Sequence, residues 1–456
     1  MRLEVYQVQA GYSLRLGLIA VAAFVLGGCA AARVVGGPMA GPSSPHEARI
    51  WLMTDRSVAA AIEYWPQARP DERRRSGAVT ADPTTGHVAQ LVLAGLEPNE
   101  RYAYRLLLNG TAVAGNPRYQ FVTQPQRREA PKAVRLATGS CAHIALDVSG
   151  PEASRFSSGY GIFDRIAAQR PDAMLWLGDS IYYRDSDFAE NPPEQMNARW
   201  AITRTFEPLQ QLLQTGHHYA IWDDHDYGPN NSNRGFEHRD SSLALFRRYW
   251  PQATYGLPGV PGTFAHAAIE DVELFLLDNR FHRDDDNAPD VPGKAMFGDA
   301  QLAWLQRALA ESRATFKLIV GGSRLLAEPI SAQRRGGEGW HNFPHEREAF
   351  LRWLREARID GVVMVSGDVH YTYLSAHERP GVYPLYELVC SPLTSRIHPR
   401  PHPINELPGT LVLERNFCTL EFTGPAARRE LRISAWNQRG EPLWSETIAS
   451  EALRTP

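Results

Sequence analysis

Hydrophobic and polar residues alternate in short runs over the first part of the chain, residues 46–125. The alternation is clearest in residues 88–93 and 101–107, and such a pattern predicts β-strands that each bury one face. Proline, asparagine and glycine separate the runs, as at Asn109-Gly110, and these residues are typical of turns. Several short strands at this spacing predict an N-terminal β-sandwich domain over residues 46–125. We assign this domain no chemistry.

The pattern changes after a polar linker at residues 124–132, because apolar runs then alternate with helical runs. This alternation predicts an α/β domain, residues 133–440, built on a largely buried sheet. The predicted strands are 134–138, 173–177, 219–222, 273–277, 316–321 and 361–366. The predicted helices are 162–169, 196–213, 241–249, 299–312 and 346–357. Strand-like runs return at 386–390, 410–415, 419–422 and 431–436.

The N-terminus has the layout of an export signal. Arg15 precedes an apolar run that is too short to span a bilayer and that ends in Leu26-Gly27-Gly28-Cys29. This ending resembles a bacterial lipobox, which implies that residues 1–29 are a lipoprotein signal peptide and that Cys29 is lipidated. A plain secretory signal with a chance cysteine is the alternative. Residues 30–45 are predicted to be a tether, so that lipid on Cys29 would anchor the protein to a membrane surface of the bacterial cell envelope, periplasmic or outer.

The composition is that of a globular protein without a nucleic-acid-binding signature. The chain has 456 residues, 43% hydrophobic and 22% charged, with a net charge of −3. No run of about 20 apolar residues follows the N-terminus, so no transmembrane helix is predicted. We expect a monomer. Cys390 and Cys418 could pair or could both be small buried residues, and burial is favoured because free cysteine is among the most buried residue types.

Polar side chains follow four of the predicted strands directly. Since open α/β sheets gather their sites at the carboxyl ends of strands, these side chains are expected to converge at one edge. Aspartates are hard oxygen ligands that can bridge two ions, whereas a thiolate or phenolate favours an ion such as ferric iron, so a mixed metal site is predicted. The four segments are Gly139-Ser140-Cys141, Gly178-Asp179-Ser180-Ile181-Tyr182, Asp223-Asp224-His225-Asp226 and Gly367-Asp368-Val369-His370.

The densest of these segments is the acidic run from Asp223 to Asp226. Carboxylates packed this closely beside apolar residues repel one another unless a cation holds them. A solvated acidic turn after a strand is the alternative. Asp223 and Asp226 could be ligands, or one of them could only orient His225 or cap the turn.

On the basis of these segments, the chain resembles the alkaline phosphatase D (PhoD-like) family of metallophosphatases over roughly residues 46–440. The resemblance implies a metallophosphatase-type α-β-β-α sandwich, and residues 93–104 look like part of a fibronectin type III-like module in the N-terminal domain. The matching motifs are Gly139-Ser140-Cys141, Gly178-Asp179-Ser180-Ile181-Tyr182, Trp222-Asp223-Asp224-His225-Asp226, Asp278-Asn279-Arg280 and Ser366-Gly367-Asp368-Val369-His370-Tyr371.

The resemblance also implies cofactors and ligands. The implied ions are Fe³⁺ and Ca²⁺, with Asp179 bridging the two and His370 closing the site on the metal side or positioning the phosphate. The implied iron ligands are Cys141, Asp179 and Tyr182, and the candidate calcium ligands are Asp224, Asn231 and Asp368.

The implied function is hydrolysis of phosphate monoesters or diesters. A metal-activated hydroxide would attack the phosphorus, and His225 would contact the substrate and act as general acid. Arg280 could bind the phosphate or could simply pair with Asp278, and the pairing is slightly favoured. The competing hypothesis is a non-catalytic, lipid-anchored surface protein that binds a partner and retains a relic metal domain.

Overall fold

The computed structural model describes residues 31–115, 119–126, 130–145, 160–329 and 337–456. Residues 32–456 form one compact unit. The predicted signal peptide and the lipidation site Cys29 lie outside the described residues. In the part of the chain that is described, no helix is both long and apolar enough to cross a membrane.

The described ranges contain twenty-one strands, numbered in chain order. They are β1 (Val34–Ala40), β2 (Glu47–Thr54), β3 (Val58–Pro66), β4 (Arg74–Arg75), β5 (Val79–Ala81), β6 (Val88–Ala94), β7 (Arg101–Leu108), β8 (Thr111–Ala112), β9 (Tyr119–Val122), β10 (Val134–Gly139), β11 (Ala173–Leu177), β12 (His217–Ile221), β13 (Ala265–Ile269), β14 (Val272–Leu276), β15 (Phe316–Val320), β16 (Val362–Ser366), β17 (Tyr373–His377), β18 (Leu385–Val389), β19 (Asn416–Thr423), β20 (Glu430–Asn437) and β21 (Pro442–Ala449).

The strands form three sheets. The first has nine strands in the order β21-β20-β19-β10-β11-β12-β1-β2-β6, and the second has six in the order β13-β14-β15-β16-β18-β17. The third belongs to the N-terminal region and has the order β4-β3-β7-β8, with β5 paired to β3 and β9 paired to β7. One apolar core joins the first two sheets, since Leu136 and Leu420 cluster with Leu318 and Val363.

Helices cover the outer faces of the two large sheets. Met196 and Phe246 belong to the core on the outer face of the nine-stranded sheet, and Leu305 and Phe350 pack with the six-stranded sheet. The α-helices are α1 (Ile162–Ala168), α2 (Pro192–Arg204), α3 (Gln210–Leu213), α4 (Asp224–Tyr227), α5 (Arg239–Tyr249), α6 (Asp299–Glu311) and α7 (Pro344–Glu356). The predicted α-β-β-α layering is therefore confirmed.

The helix predicted over residues 196–213 is interrupted. The helix α2 ends at Arg204, a 3-10 turn follows at Glu207–Leu209, and α3 begins at Gln210. Pro208 lies in that turn, and proline is tolerated in the first turn of a helix but not in its interior. The run predicted as a strand at 410–415 forms only an isolated bridge, from Val412 to Thr372.

The prediction of a tether over residues 30–45 is wrong for residues 34–40. These residues form β1, which pairs with β12 on one side and with β2 on the other. The glycines that suggested a linker are instead packing positions. A Cβ on Gly36 would lie 2.9 Å from the carbonyl oxygen of Arg204, and one on Gly37 would lie 3.0 Å from that of Trp51. Small residues let β1 fit there, so the N-terminal strands continue the central sheet.

The fold brings the predicted site together. Strands β10, β11 and β12 are parallel neighbours, and β16 is the corresponding parallel strand of the second sheet. The loop that leaves the carboxyl end of each of these four strands carries one of the four predicted polar segments. The site therefore lies where the carboxyl ends of the two sheets meet, as parallel topology predicts.

Candidate metal centre

Five of the predicted ligands have a backbone conformation that side-chain-bearing residues rarely adopt. The φ angle is 58° at Cys141, 52° at Asp179, 60° at Asn231, 73° at Asp368 and 60° at His370. A non-glycine residue at positive φ is strained, and such strain persists only where the surroundings fix it and is concentrated at functional sites. The surrounding structure therefore fixes the turns that carry these five predicted ligands.

Asp179 lies at the centre of the first group of donors. Its Oδ2 accepts a hydrogen bond from the Tyr182 hydroxyl at 3.2 Å and lies 3.5 Å from the Cys141 sulfur. Its Oδ1 accepts from the backbone N–H of His225 at 3.2 Å. The thiol, the phenol and the carboxylate predicted to bind one ion are therefore in mutual contact.

Asp224 connects this group to a second one. Ligand atoms of Asp179, Asp224 and His225 all lie within 4.8 Å of one another, and so do those of Asp223, Asp224 and Asp368. The Oδ2 of Asp224 accepts from the backbone N–H of Asn231 at 2.8 Å. Its buried Oδ1 accepts no hydrogen bond from the described residues.

The electrostatics of the site favour a bound cation. Burial and the surrounding carboxylates raise the pKa of Asp179 and of Asp368 well above the usual range. Burial and the neighbouring acids also raise the pKa of the Cys141 thiol and the Tyr182 phenol. A multivalent cation reverses each of these shifts, because it favours the charged form of every group. With the unsatisfied oxygen of Asp224, the donor set fits metal ions.

Asp226 has a structural role. Its Oδ1 accepts from the Ser180 N–H at 2.9 Å, the Ser180 hydroxyl at 2.7 Å and the Ile181 N–H at 3.2 Å. Its Oδ2 accepts from the Asp223 N–H at 3.1 Å. Asp226 therefore ties the turn that carries Asp179 to the turn that carries Asp224, and both of its oxygens are used in doing so.

Asp223 is paired with a buried cation. Its Oδ1 accepts from the Arg280 Nε at 2.6 Å and from the Asn279 side chain at 2.7 Å. Burial raises the pKa of Asp223 to about 7, and Arg280 opposes that rise. Asp223 also belongs to the second group of metal-ligand atoms.

The Arg280 guanidinium is fully buried and does not pair with the Asp278 side chain, which accepts its backbone N–H instead, at 2.9 Å. Glu338 binds the guanidinium with both oxygens, at 2.8 and 3.0 Å. Ser323 and the Ser232 carbonyl accept the remaining bonds. Direct contact of Arg280 with substrate stays a prediction, and in this structure its N–H groups are already engaged.

His225 lies between the metal-ligand groups and open space. Its ring stacks on the Tyr182 ring at a centroid distance of 4.2 Å, and His143 meets that tyrosine edge-on at 4.7 Å. Within the described residues, neither ring nitrogen of His225 has a hydrogen-bond partner. Burial lowers the pKa of His370, on the other side of the site, to about 4, so this ring is neutral and able to bind a metal.

A cavity of about 1000 Å³ opens over these groups, with Asp179, Asp224, His225 and Asp368 in its wall. Part of this wall was not predicted from the sequence. Glu338 follows a glycine-rich segment and shows no motif. The loop after β18 could have been found, since it also leaves the carboxyl end of a parallel strand. The residues missed are His143, Arg324, Glu338, Arg396, His398, Arg400, His402 and Arg415.

Two facing sheets flanked by helices, with aspartates, histidines, a thiol and a phenol at the strand ends, define a metallophosphatase-like protein. Residues 261–424 match the family described as PhoD-like phosphatase, and residues 31–126 match a domain of unknown function, DUF7800. The resemblance to the PhoD-like phosphatase family is thereby confirmed.

Individual relatives agree with this family. The chain is similar to alkaline phosphatase D of Bacillus subtilis (strain 168), with 23% identity over 359 residues, which is 68% of this chain. The chain spans about 58% of the length of that relative. The solved structure of PhoD matches with a TM-score of 0.73 and 17% identity, over 91% of this chain and 88% of the other. The purple acid phosphatase PPD1 of yellow lupin (Lupinus luteus) matches with a TM-score of 0.61 and 14% identity, over 90% and 74%. These two structures show the fold.

Proposed function

We propose that the protein is a metal-dependent hydrolase of phosphate monoesters or diesters. One observation carries the proposal: Asp179 contacts Cys141 and Tyr182 and also shares a ligand cluster with Asp224. A carboxylate placed between two donor groups can bridge two ions. The PhoD-like domain supports phosphate esters as the substrate class.

We assign the ions by donor chemistry. Cys141 and Tyr182 supply anionic sulfur and phenolate oxygen, which suit ferric iron, with Asp179 as the shared ligand. Asp224 and Asp368 supply hard oxygens of the kind that calcium prefers. Asn231 would add its side-chain oxygen, and His370 would complete the metal side. Metal ions in this position would supply charge stabilisation and an acidified water.

The chain's own residues orient the substrate and move the proton. His225 is held by its backbone bond to Asp179 and by its stack on Tyr182, and its ring nitrogens have no hydrogen-bond partner in the described part of the chain. A protonated His225 can donate to the leaving oxygen, a contribution of about 100- to 10,000-fold. Carboxylates alone would repel a phosphate, so phosphate binding beside Asp179, Asp224 and Asp368 would require the bound cations.

The first experiment is elemental analysis of the natively produced protein, with phosphate release measured on a panel of mono- and diesters. Phenolate bound to ferric iron gives a visible absorption band, so Tyr182→Phe should shift or remove it. Tyr183→Phe is the matched control, because Tyr183 bonds the Trp200 indole at 2.8 Å in the apolar core. Protein that holds the metals and cleaves no ester in the panel would support the relic-domain hypothesis instead.

The role of His225 has its own test, because its ring also lies within ligand distance of Asp179 and Asp224. A proton donor matters most for poor leaving groups. His225→Asn should therefore slow alkyl phosphates far more than 4-nitrophenyl phosphate while metal content stays constant. Loss of metal in this variant would assign His225 as a ligand.

We also propose that the protein is exported, monomeric and anchored by lipid on Cys29. The support is the Leu-Gly-Gly-Cys ending of the apolar N-terminal run. Metabolic labelling with a fatty-acid probe should mark the intact protein and not Cys29→Ala, and the variant should leave the membrane fraction. Light scattering on residues 32–456, measured without detergent, checks the oligomeric state.

A further inference from the structure

The loop after β18 builds a second, cationic part of the cavity wall. We call residues 395–403 the cationic loop, and their sequence is Ser-Arg-Ile-His-Pro-Arg-Pro-His-Pro. It contains two arginines and two histidines and no acid. Arg396, His398, Arg400 and His402 all line the cavity that holds the metal-ligand groups.

The cationic loop is attached directly to the metal centre. The backbone N–H of Ser395 donates to the Cys141 carbonyl at 3.1 Å, and the N–H of His398 donates to the His370 carbonyl at 3.1 Å. Both acceptors are predicted metal ligands. The position of the loop is therefore fixed relative to the place where the phosphate would react.

Prolines stiffen the same loop. Pro399, Pro401 and Pro403 alternate with Arg400 and His402, and proline fixes φ near −65° while it also restricts the residue before it. The backbone N–H of His402 donates to the Tyr371 hydroxyl at 3.2 Å. The backbone of the loop therefore loses little conformational entropy when the loop binds a ligand.

Among the described residues, the two arginines of this loop have no counterion. The side chains of Arg396 and Arg400 are exposed, and no hydrogen bond or ion pair joins them to the residues that the structure describes. Two further arginines complete the wall. Arg324 is buried and contacts the Tyr371 hydroxyl at 3.4 Å, and Arg415 donates to the Ser395 carbonyl at 3.1 Å. The protein has a net charge of −3, yet four arginines lie together in the part of the cavity wall around the cationic loop.

We propose that the cationic loop binds a second anionic group of the substrate, a carboxylate or a phosphate, while the scissile phosphate lies beside Asp179, Asp224 and Asp368. The inference rests on the proposed phosphoesterase function and adds the substrate class to it. A cavity of about 1000 Å³ is of the size that encloses a whole drug-sized ligand. It has room for a substrate that extends well beyond one phosphate group.

The test uses three substrates that share a three-carbon chain: propyl phosphate, 3-phosphonooxypropanoate and propane-1,3-diyl bisphosphate. Each is made as the monoester and as its methyl diester, so that either esterase preference is covered. The readout is the ratio of kcat/KM for each anionic-tailed ester to that for the neutral-tailed ester. The carboxylate and phosphate tails separate the two sources of the anion.

We expect a ratio of at least about tenfold in the unmodified protein, since hydrogen bonds to charged groups are the strong ones. The ratio should fall toward one in Arg396→Ala/Arg400→Ala and should decrease with added salt. The control Arg352→Ala/Arg428→Ala removes the same charge from exposed arginines outside the cavity and should keep the ratio.

Each contrary result has a distinct meaning. Turnover with a ratio near one in the unmodified protein overturns the inference and leaves the proposed function standing. Equal loss on all three esters in the double variant also overturns it, because the arginines would then contact the reacting phosphate. No turnover of any ester in metal-loaded protein refutes the proposed function, and the inference falls with it.

Discussion

The contrast between Asp224 and Asp226 gives a sharp test of the site. These residues lie in the same helical turn, α4, and both are buried. The same change, aspartate to asparagine, should affect metal binding at one position and folding at the other. Asp224→Asn should lose metal, and Asp226→Asn should lose stability.

The expected magnitude follows from the hydrogen bonds. Asparagine has one accepting oxygen, so Asp226→Asn can keep the three bonds from Ser180 and Ile181 but turns its amide toward the N–H of Asp223. Each buried donor without a partner costs about 1–3 kcal/mol. Two such donors face each other here, so the free energy of unfolding should fall by about 2–6 kcal/mol.

The metal-free protein should respond differently to Asp224→Asn. The amide nitrogen of the asparagine can replace Oδ1 of Asp224, because that oxygen accepts no hydrogen bond from the described residues. The remaining oxygen keeps the bond from the Asn231 N–H. The change removes a negative charge beside Asp179 and Asp368, although it also removes an attraction to Arg280 at 3.8 Å. These effects oppose one another, so stability should change by no more than about 1 kcal/mol.

Urea unfolding in the presence of a chelator measures the free energy of unfolding of each variant. Elemental analysis after dialysis against both ions measures how much metal each variant retains. The reasoning requires that the two variants fail in different assays. If Asp226→Asn unfolds like the unmodified protein and arrives without metal, Asp226 is a ligand and its assignment as the clamp between two turns is wrong. If Asp224→Asn retains both ions, the bridging arrangement is refuted.

Three further predictions concern other buried groups. Burial lowers the pKa of His218 to about 3, so the unfolded chain takes up a proton that the folded protein refuses. The resulting stability is complete above about pH 6.5 and is lost toward pH 3 at up to about 1.4 kcal/mol per pH unit, and His218→Gln should flatten this dependence in urea titrations. Glu338→Gln leaves Arg280 with a weakened partner and should cost about 3–5 kcal/mol of unfolding free energy by the same method. Cys390 and Cys418 are buried free thiols, so neither should react with a thiol reagent until the protein unfolds; labelling of the native protein would contradict their burial.

Much of the fold and of the metal centre could be predicted because both depend on local signals. The apolar runs at 173–177 and 361–366 predict buried strands, and the carboxyl ends of those strands, one in each large sheet, carry Asp179 and Asp368 to one site. Residues 34–40 could not be predicted in this way. Their small side chains resemble a linker, and only the nearby Trp51 and Arg204 show that β1 needs them small.

The roles within the acidic run could not be separated from the sequence for a related reason. Asp223, Asp224 and Asp226 have the same chemistry, and what distinguishes them is which donors the fold brings to each. Ser180 and Ile181 come from the end of β11, and Arg280 follows β14 in the other sheet. The partners are distant in sequence, so no local pattern encodes them.

The distribution of partners also separates the supporting acids of the site from the predicted ligands. Asp226 is neutralised by N–H and hydroxyl dipoles, and Asp223 is paired with Arg280, whose own charge is shared with Glu338. Burial and neighbouring carboxylates raise the pKa of Asp179 and Asp368, and the Oδ1 of Asp224 accepts no hydrogen bond from the described residues. These three acids are the ones whose charge a bound cation would stabilise. Because the fold supplies Asp223 and Asp226 with partners from other elements, these two acids hold the turns that carry the predicted ligands, and cations bound by Asp179, Asp224 and Asp368 would complete the site.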